Sequence, residues 1–271
     1  PPSRQARSGQ SQVEGDTRVS GRIKQSVVFW AFGRHTTPEK LVAAAAEIGF
    51  ASVEMVPEEH WPLVKAAGLD IAIVVGHRSL TDGLNKRENH PRIAAELSEN
   101  IRKAARHGIP ALIIFSGNRN GLDDDAAIEI CAEGIRRVIR LAEDEGVTLC
   151  MELLNSKVDH PGYQCDRTAW GVRLCQAVGS PRCKLLYDIY HMQIMEGDLI
   201  RTIRENIEYI GHFHTAGNPG RRDLDDTQEI YYPAVMRAIA DTGYTGYVGH
   251  EFSPKGDWYE AMKRAFAVCD V

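Results

Sequence analysis

Paired cysteines are missing: Cys131, Cys150, Cys165, Cys175, Cys183 and Cys269 are scattered through apolar or ordinary contexts with no C-x-x-C spacing. Neither a zinc cluster nor a disulfide framework is indicated, and reduced, buried thiols are expected. Long apolar runs are missing too. Nothing approaches the roughly 18 to 20 residues that a membrane-spanning helix needs, and no charged-then-apolar leader is visible. Basic charge is short, with 32 Lys+Arg against 37 Asp+Glu and a net charge of −5. Without a basic stripe, the footprint of a nucleic-acid binder is absent. These absences leave a soluble chain whose partner is a small molecule rather than nucleic acid or membrane. Assembly into a homo-oligomer stays open. A cytoplasmic location is favoured, and a removed export signal ahead of Pro1 is left open.

What is present is apolar material for one large core, 43% of 271 residues. Residues 1–22 are rich in Ser, Gln, Arg and Gly, and they read as a flexible arm left by processing. From Gln25 onward, short apolar runs alternate with longer amphipathic segments, the pattern of βα units feeding a parallel sheet. The strand candidates are Ser26–Phe32, Ser52–Met55, Ile71–Val75, Ala111–Phe115, Thr148–Leu153, Lys184–Asp188, Tyr209–His214 and Gly246–Glu251. Thr37-Pro38 opens the first helix, which stops at Gly49, and Asp123-Asp124-Asp125 opens the fourth, which stops at Gly146. Ile128, Cys131, Ile135, Val138 and Ala142 give that fourth helix one buried stripe. Further helices are expected near 58–67, 92–107, 166–178, 198–206, 231–241 and 258–268. Eight such units in about 250 residues predict a single-domain (β/α)8 TIM barrel over residues 23–271. An open doubly wound sheet is the competing architecture. It is disfavoured because Phe32-Gly33-Arg34-His35 after the first strand is not a G-x-G-x-x-G phosphate loop.

In such a barrel the active site lies at the C-terminal strand ends, so polar residues that terminate apolar runs are the informative ones. The fifth to eighth strands end in Glu152, Asp188, His214 and Glu251. Three carboxylates and an imidazole converge at one mouth, where buried charge is costly and the three carboxylates repel each other unless a divalent cation compensates them. An oxygen and nitrogen donor set without thiolate points to one Mn²⁺ or Mg²⁺, with Co²⁺ also compatible. His212, two residues before His214, should share its direction one layer deeper, whereas His250 should point outward against a helix. Trp30, Phe32 and Trp61 are wall candidates, with core packing the simpler fate of Trp30. Phe115 to Arg119 suits a ligand-facing strand end. Lys86 to His90 reads as a solvated loop or a lid.

Glu152-Leu153-Leu154-Asn155, YDIYHMQIMEGD over 187–198, IGHFHTAGNPGR over 210–221, QEIYYP over 228–233 and GYVGHEFSP over 246–254 carry a resemblance. Together they resemble the hydroxypyruvate isomerase family, part of the xylose isomerase-like barrel group that also holds ketose 3-epimerases and endonuclease IV. The resemblance runs in order from Ile23 to Pro254. It implies that Glu152, Asp188, His214 and Glu251 bind a metal and that Glu152 and Glu251 are the catalytic, proton-transferring pair. It further implies that His191 and Arg221 bind substrate oxygens and that Glu54 and Glu229 lie near the pocket; a structural salt bridge is the other reading of these two glutamates. Two features depart from the family. The position of His214 is often Gln in hydroxypyruvate isomerases, and His resembles the epimerase branch. After Asn155, Ser156-Lys157 and a longer loop through His160-Pro161-Gly162-Tyr163 replace the usual Arg.

Two carboxylates flanking a hydroxy-carbonyl suit removal of the proton α to the carbonyl, giving a cis-enediolate whose charge a divalent ion holds. The resemblance makes hydroxypyruvate to tartronate semialdehyde the leading reaction. A ketose or keto-sugar 3-epimerase returns the proton to the opposite face of the same carbon. A lyase acting on 3-keto glycosides uses the same base and expels a β-substituent. A phosphodiesterase needs a larger metal cluster and a basic groove, and a non-catalytic barrel has no use for both strand-end glutamates.

Overall fold

The computed structural model describes residues 21–271. The expected arm over residues 1–22 therefore lies almost wholly outside the described residues. The strands are β1 Lys24–Val28, β2 Ser52–Glu54, β3 Val74–Val75, β4 Ala111–Ile114, β5 Thr148–Glu152, β6 Cys183–Asp188, β7 Ile210–Thr215 and β8 Tyr247–His250. They pair in parallel in the order β2-β1-β8-β7-β6-β5-β4-β3. The ends of that order meet through the backbone. Val53 N–H donates to the Asp70 carbonyl at 3.1 Å, Met55 N–H to Ile73 at 2.9 Å and Asp70 N–H to Ala51 at 3.0 Å. The molecule is a (β/α)8 barrel in one domain, and the doubly wound alternative falls.

Strand lengths differ from expectation for local reasons. The ladder expected over 71–75 shrinks to two residues because Ala72 N–H donates to the Ser52 hydroxyl instead of a strand carbonyl. β1 stops at Val28, and Phe29–Gly33 forms a short helical turn. That turn sends Phe32 into the core edge-on to Phe252, with ring centroids 5.1 Å apart, and leaves Trp30 half-buried at the rim.

Helix punctuation follows the sequence. The Thr37 hydroxyl caps Pro38–Ile48, which ends at Gly49 with φ 105°, and the Asp123 carboxylate accepts from the amides of Asp125 and Ala126. The fourth helix is not continuous: it runs over Asp124–Arg136 and resumes over Ile139–Glu145. Between them Arg137 and Val138 donate to carbonyls three residues back, a tighter turn than the α-helix. Its stripe survives the break, since Ile128, Cys131, Ile135, Val138 and Ala142 are all buried. Burying each larger aliphatic chain contributes about 1.5–3 kcal/mol, so packing outweighs the lost helical bond. All six cysteines are free and buried. Among the described residues no helix is long and apolar enough to cross a membrane.

Candidate active site

The C-terminal strand ends bring four residues to one place. Glu152 closes β5, Asp188 closes β6, His214 stands near the end of β7 beside Asp188 in register, and Glu251 directly follows β8. All four are buried, and one donor atom from each lies within 4.8 Å of the others. Parallel register explains the convergence, because each polar residue ends an apolar run at the same height of the barrel.

The cluster is electrostatically uneven. Burial and the neighbouring Glu251 push Glu152 up to about 8. Burial raises Asp188 to about 6, with Glu251 adding to it and Arg221 opposing. Burial also disfavours charge on Glu251, but Arg221 and His214 outweigh it and hold this carboxyl well below the usual range. Asp188 Oδ1 accepts from the His191 amide at 3.1 Å, which leaves Oδ2 buried without a partner. His214 Nδ1 is also unpartnered: it lies 3.0 Å from Glu251 Oε2 without hydrogen-bond alignment. Buried polar atoms are nearly always satisfied, so orphans aimed into one cluster of carboxylates mark a place for a cation. The oxygen and nitrogen donors fit a divalent ion of the Mg²⁺, Mn²⁺ or Co²⁺ type.

Arg221 reaches the cluster from the loop after β7. Its Nη2 donates to Glu251 Oε2 at 2.7 Å, its guanidinium carbon lies 5.7 Å from the Trp30 ring centroid and 5.9 Å from that of Tyr190, and Nε is unpartnered. Its backbone is left-handed at φ 55°, uncommon for a non-glycine residue, and its carbonyl is held by Ser253 N–H at 3.0 Å. Asp223 and Asp225, two loop carboxylates close to Arg221 in sequence, pair with Arg264 and Lys255 rather than with Arg221. His191 sits on an unforeseen short helix, Ile189–Met195, capped by Asp188. Its Nδ1 bonds the Asn155 amide at 2.6 Å, and its Nε2 is buried and unpartnered. Burial, with Arg221 adding, holds its pKa well below that of a free histidine.

His160 was passed over as an individual residue in the sequence. Its Nε2 is buried without a partner, and its ring lies edge-on to His191 at 5.3 Å between centroids. The one available signal was its place in the turn-rich His160-Pro161-Gly162 segment. Asn155 organises this loop, accepting from the amides of Val158 and Asp159 and donating to Asp159, which also receives the Tyr190 hydroxyl.

Other candidates lie elsewhere. Glu54 is fully buried, and its Oε1 sits 3.0 Å from His212 Nε2 and 2.6 Å from His214 Nε2. The geometry is that of a buried carboxylate hydrogen-bonded by two imidazoles beneath the cluster. His212 thus shares His214's direction, as strand alternation requires. Glu229 is exposed and bonds Gln193 and Asn218, so its carboxylate braces the loop after β7 rather than joining the four. His250 points outward, bonding Thr215 and Gln25 and packing edge-on to Phe50. Trp61 packs on His107 and donates to the Val56 carbonyl, away from the four residues. Arg119 pairs with Asp124 and Asp166, and Arg87 with Glu133, so neither segment offers its charge to the cluster. A surface hollow of about 820 Å³ is lined by Asp225, Tyr231 and Arg264 and reaches Glu229 but none of the four.

Comparison with known proteins agrees with this architecture. Residues 42–268 match the family described as xylose isomerase-like TIM barrel, and the chain belongs to that family. Within that family it is similar to proteins named as isomerases of hydroxypyruvate and of a 2-oxo-tetronate. It is 28% identical over 249 residues to a putative hydroxypyruvate isomerase of Homo sapiens, covering 86% of this chain and 90% of that protein. It is 35% identical over 123 residues to a 2-oxo-tetronate isomerase of Cupriavidus necator, covering 45% of this chain and 46% of that one. Among solved structures, an AP endonuclease, family 2, from Brucella melitensis shares the fold with TM-score 0.77 at 24% identity, covering 89% of this chain and 97% of that chain.

Proposed function

We propose that this chain isomerises a small hydroxy-keto acid, with hydroxypyruvate to tartronate semialdehyde the leading case, in the presence of one divalent cation. The observation that carries this reading is the juxtaposition of two strand-end glutamates with a guanidinium. Glu152 and Glu251 stand on strands separated by β6 and β7, and Arg221 contacts Glu251 at the same mouth. Glu152, Asp188, His214 and Glu251 would hold the ion, Mn²⁺ or Mg²⁺ by donor type, with Co²⁺ also compatible. When bound, it supplies Lewis-acid stabilisation of developing negative charge. The relatives named above as isomerases of hydroxypyruvate and of a 2-oxo-tetronate support a keto-acid substrate.

The chain's own residues perform the proton chemistry. One ionised glutamate takes the proton from the carbon α to the carbonyl, and the other, protonated, delivers its own proton to the neighbouring carbon while the hydroxyl hydrogen passes from one oxygen to the other, which exchanges aldehyde and ketone forms and leaves the two glutamates with their protonation states swapped. Arg221 and His191 present N–H groups to the substrate's remaining oxygens, and Trp30 and Tyr190 flank the guanidinium. The same site closes on a 3-epimerase if the proton returns to the opposite face of its original carbon. His214, which resembles the epimerase branch, favours that second reading.

The test is turnover of hydroxypyruvate and of a ketose panel with Mn²⁺ or Mg²⁺, products identified by NMR. Tartronate semialdehyde is the expected product. Exhaustive chelation should abolish activity, and Mn²⁺ should restore it. A ketose epimer as the only product would transfer the assignment to epimerase, and release of a second molecule would transfer it to lyase. Full activity after chelation would remove the metal.

A further inference from the structure

We infer that Glu54, steadied by His212, is a positioning residue that orients the imidazole of His214 toward the ion. This rests on the metal reading above. Glu54 ends β2, on the far side of β1 and β8 from β7, yet its carboxylate reaches His214 from beneath. Its Oε1 lies 2.6 Å from His214 Nε2 and 3.0 Å from His212 Nε2. An ionised carboxylate only accepts, so each Nε2 carries the hydrogen. In the neutral His214 ring the lone pair then falls on Nδ1. That atom is the one beside Glu251 Oε2 at 3.0 Å and Glu152 Oε1 at 4.0 Å, and it has no hydrogen-bond partner.

The barrel makes room for this arrangement at some cost. A Cβ on Gly249 would fall 2.5 Å from Glu54 Oε1 and 2.7 Å from its Cδ. Gly249 is the register partner of His214 on β7 and of Ser26 on β1, so any side chain there would displace the carboxylate from beneath the ring. Its φ is not left-handed, and space rather than backbone freedom is what glycine provides. His212 stands edge-on to His214 at 5.1 Å between centroids and supplies a second donor to the same oxygen. Glu54 Oε2 has no partner at all, so the orientation of the carboxylate depends on the two histidines. Outer carboxylates that hold a metal-binding histidine in one tautomer commonly account for 10–100-fold in metal affinity.

A double-mutant cycle on Mn²⁺ affinity separates positioning from mere packing. Binding is measured by electron paramagnetic resonance of free Mn²⁺, with circular dichroism and thermal melting confirming a folded barrel. Glu54→Gln is expected to weaken binding about 10–100-fold. Gly249→Ala, which leaves every charge in place and pushes the carboxylate aside, should weaken it in the same sense and carries the test if Glu54→Gln does not fold. In a His214→Gln background there is no tautomer to fix, and either change should then alter affinity by less than about twofold. Wild-type affinity in both Glu54→Gln and Gly249→Ala overturns the inference. So does an equal loss in the wild-type and His214→Gln backgrounds, which would mark Glu54 as structural only. Glu152→Gln is the control for the metal reading itself. If it loses Mn²⁺ while the Glu54 and Gly249 variants bind normally, the metal reading stands and this inference falls. If Glu152→Gln binds like the wild type, or the wild type binds no Mn²⁺, both fall.

Discussion

Glu251→Gln and Glu152→Gln should each reduce turnover by at least about 10²- to 10⁴-fold, the usual contribution of a positioned acid or base, while leaving the barrel folded. Either change preserves shape and removes a carboxylate that transfers a proton. Both residues sit at the loop-bearing end, and neither belongs to the apolar cluster that packs the interior. Glu251 also anchors Arg221 at 2.7 Å, so its loss should additionally loosen the guanidinium. In deuterated water the unmodified protein should wash deuterium into the carbon α to the carbonyl, and each variant should suppress that exchange. Substrate turnover without solvent exchange, undiminished in both variants, would replace proton abstraction with hydride transfer.

The four strand-end residues were legible because a barrel turns a one-dimensional feature, a polar residue closing an apolar run, into a shared height. Glu152, Asp188, His214 and Glu251 needed only that rule to be placed together. Alternation likewise put His212 beneath His214 and turned His250 outward. Features set by side chains from distant segments were not legible. Ser52 takes over an amide that β3 would have used, so a run of apolar residues reads as a longer strand than it forms. The helix Ile189–Met195 is short, and its start depends on Asp188 acting as both cap and cluster member, two roles that a periodicity argument cannot separate. Glu229 belongs to a matching motif, but its carboxylate is captured by Gln193 and Asn218, 36 and 11 positions away in the chain, contacts that no local pattern encodes. The half-buried His160 owes its place to a loop folded around Asn155, whose carbonyl accepts from the His160 amide, and loop paths are the least constrained by hydrophobic period.

Arg221→Lys should raise KM for a hydroxy-keto acid about 10- to 100-fold more than for an uncharged ketose, the loss of one charge-assisted hydrogen bond worth about 1.5–3 kcal/mol. Lysine keeps the charge and loses the planar fork that gives a carboxylate two parallel donors. Comparing two substrates matters because Arg221 also holds Glu251. Any disturbance passed through Glu251 to the proton transfer strikes both substrates alike and cancels in the ratio, whereas a direct contact with the substrate carboxylate does not. Arg221 is placed for that contact: Nε is buried and unpartnered, Trp30 and Tyr190 flank the guanidinium, and Asp223 and Asp225 are engaged by Arg264 and Lys255. A left-handed arginine at φ 55° is a strained choice that the surrounding loop must enforce, which argues for a side chain whose direction matters. Equal shifts in KM for the two substrates would mean that Arg221 acts only through Glu251, and the substrate would then be sought among neutral sugars.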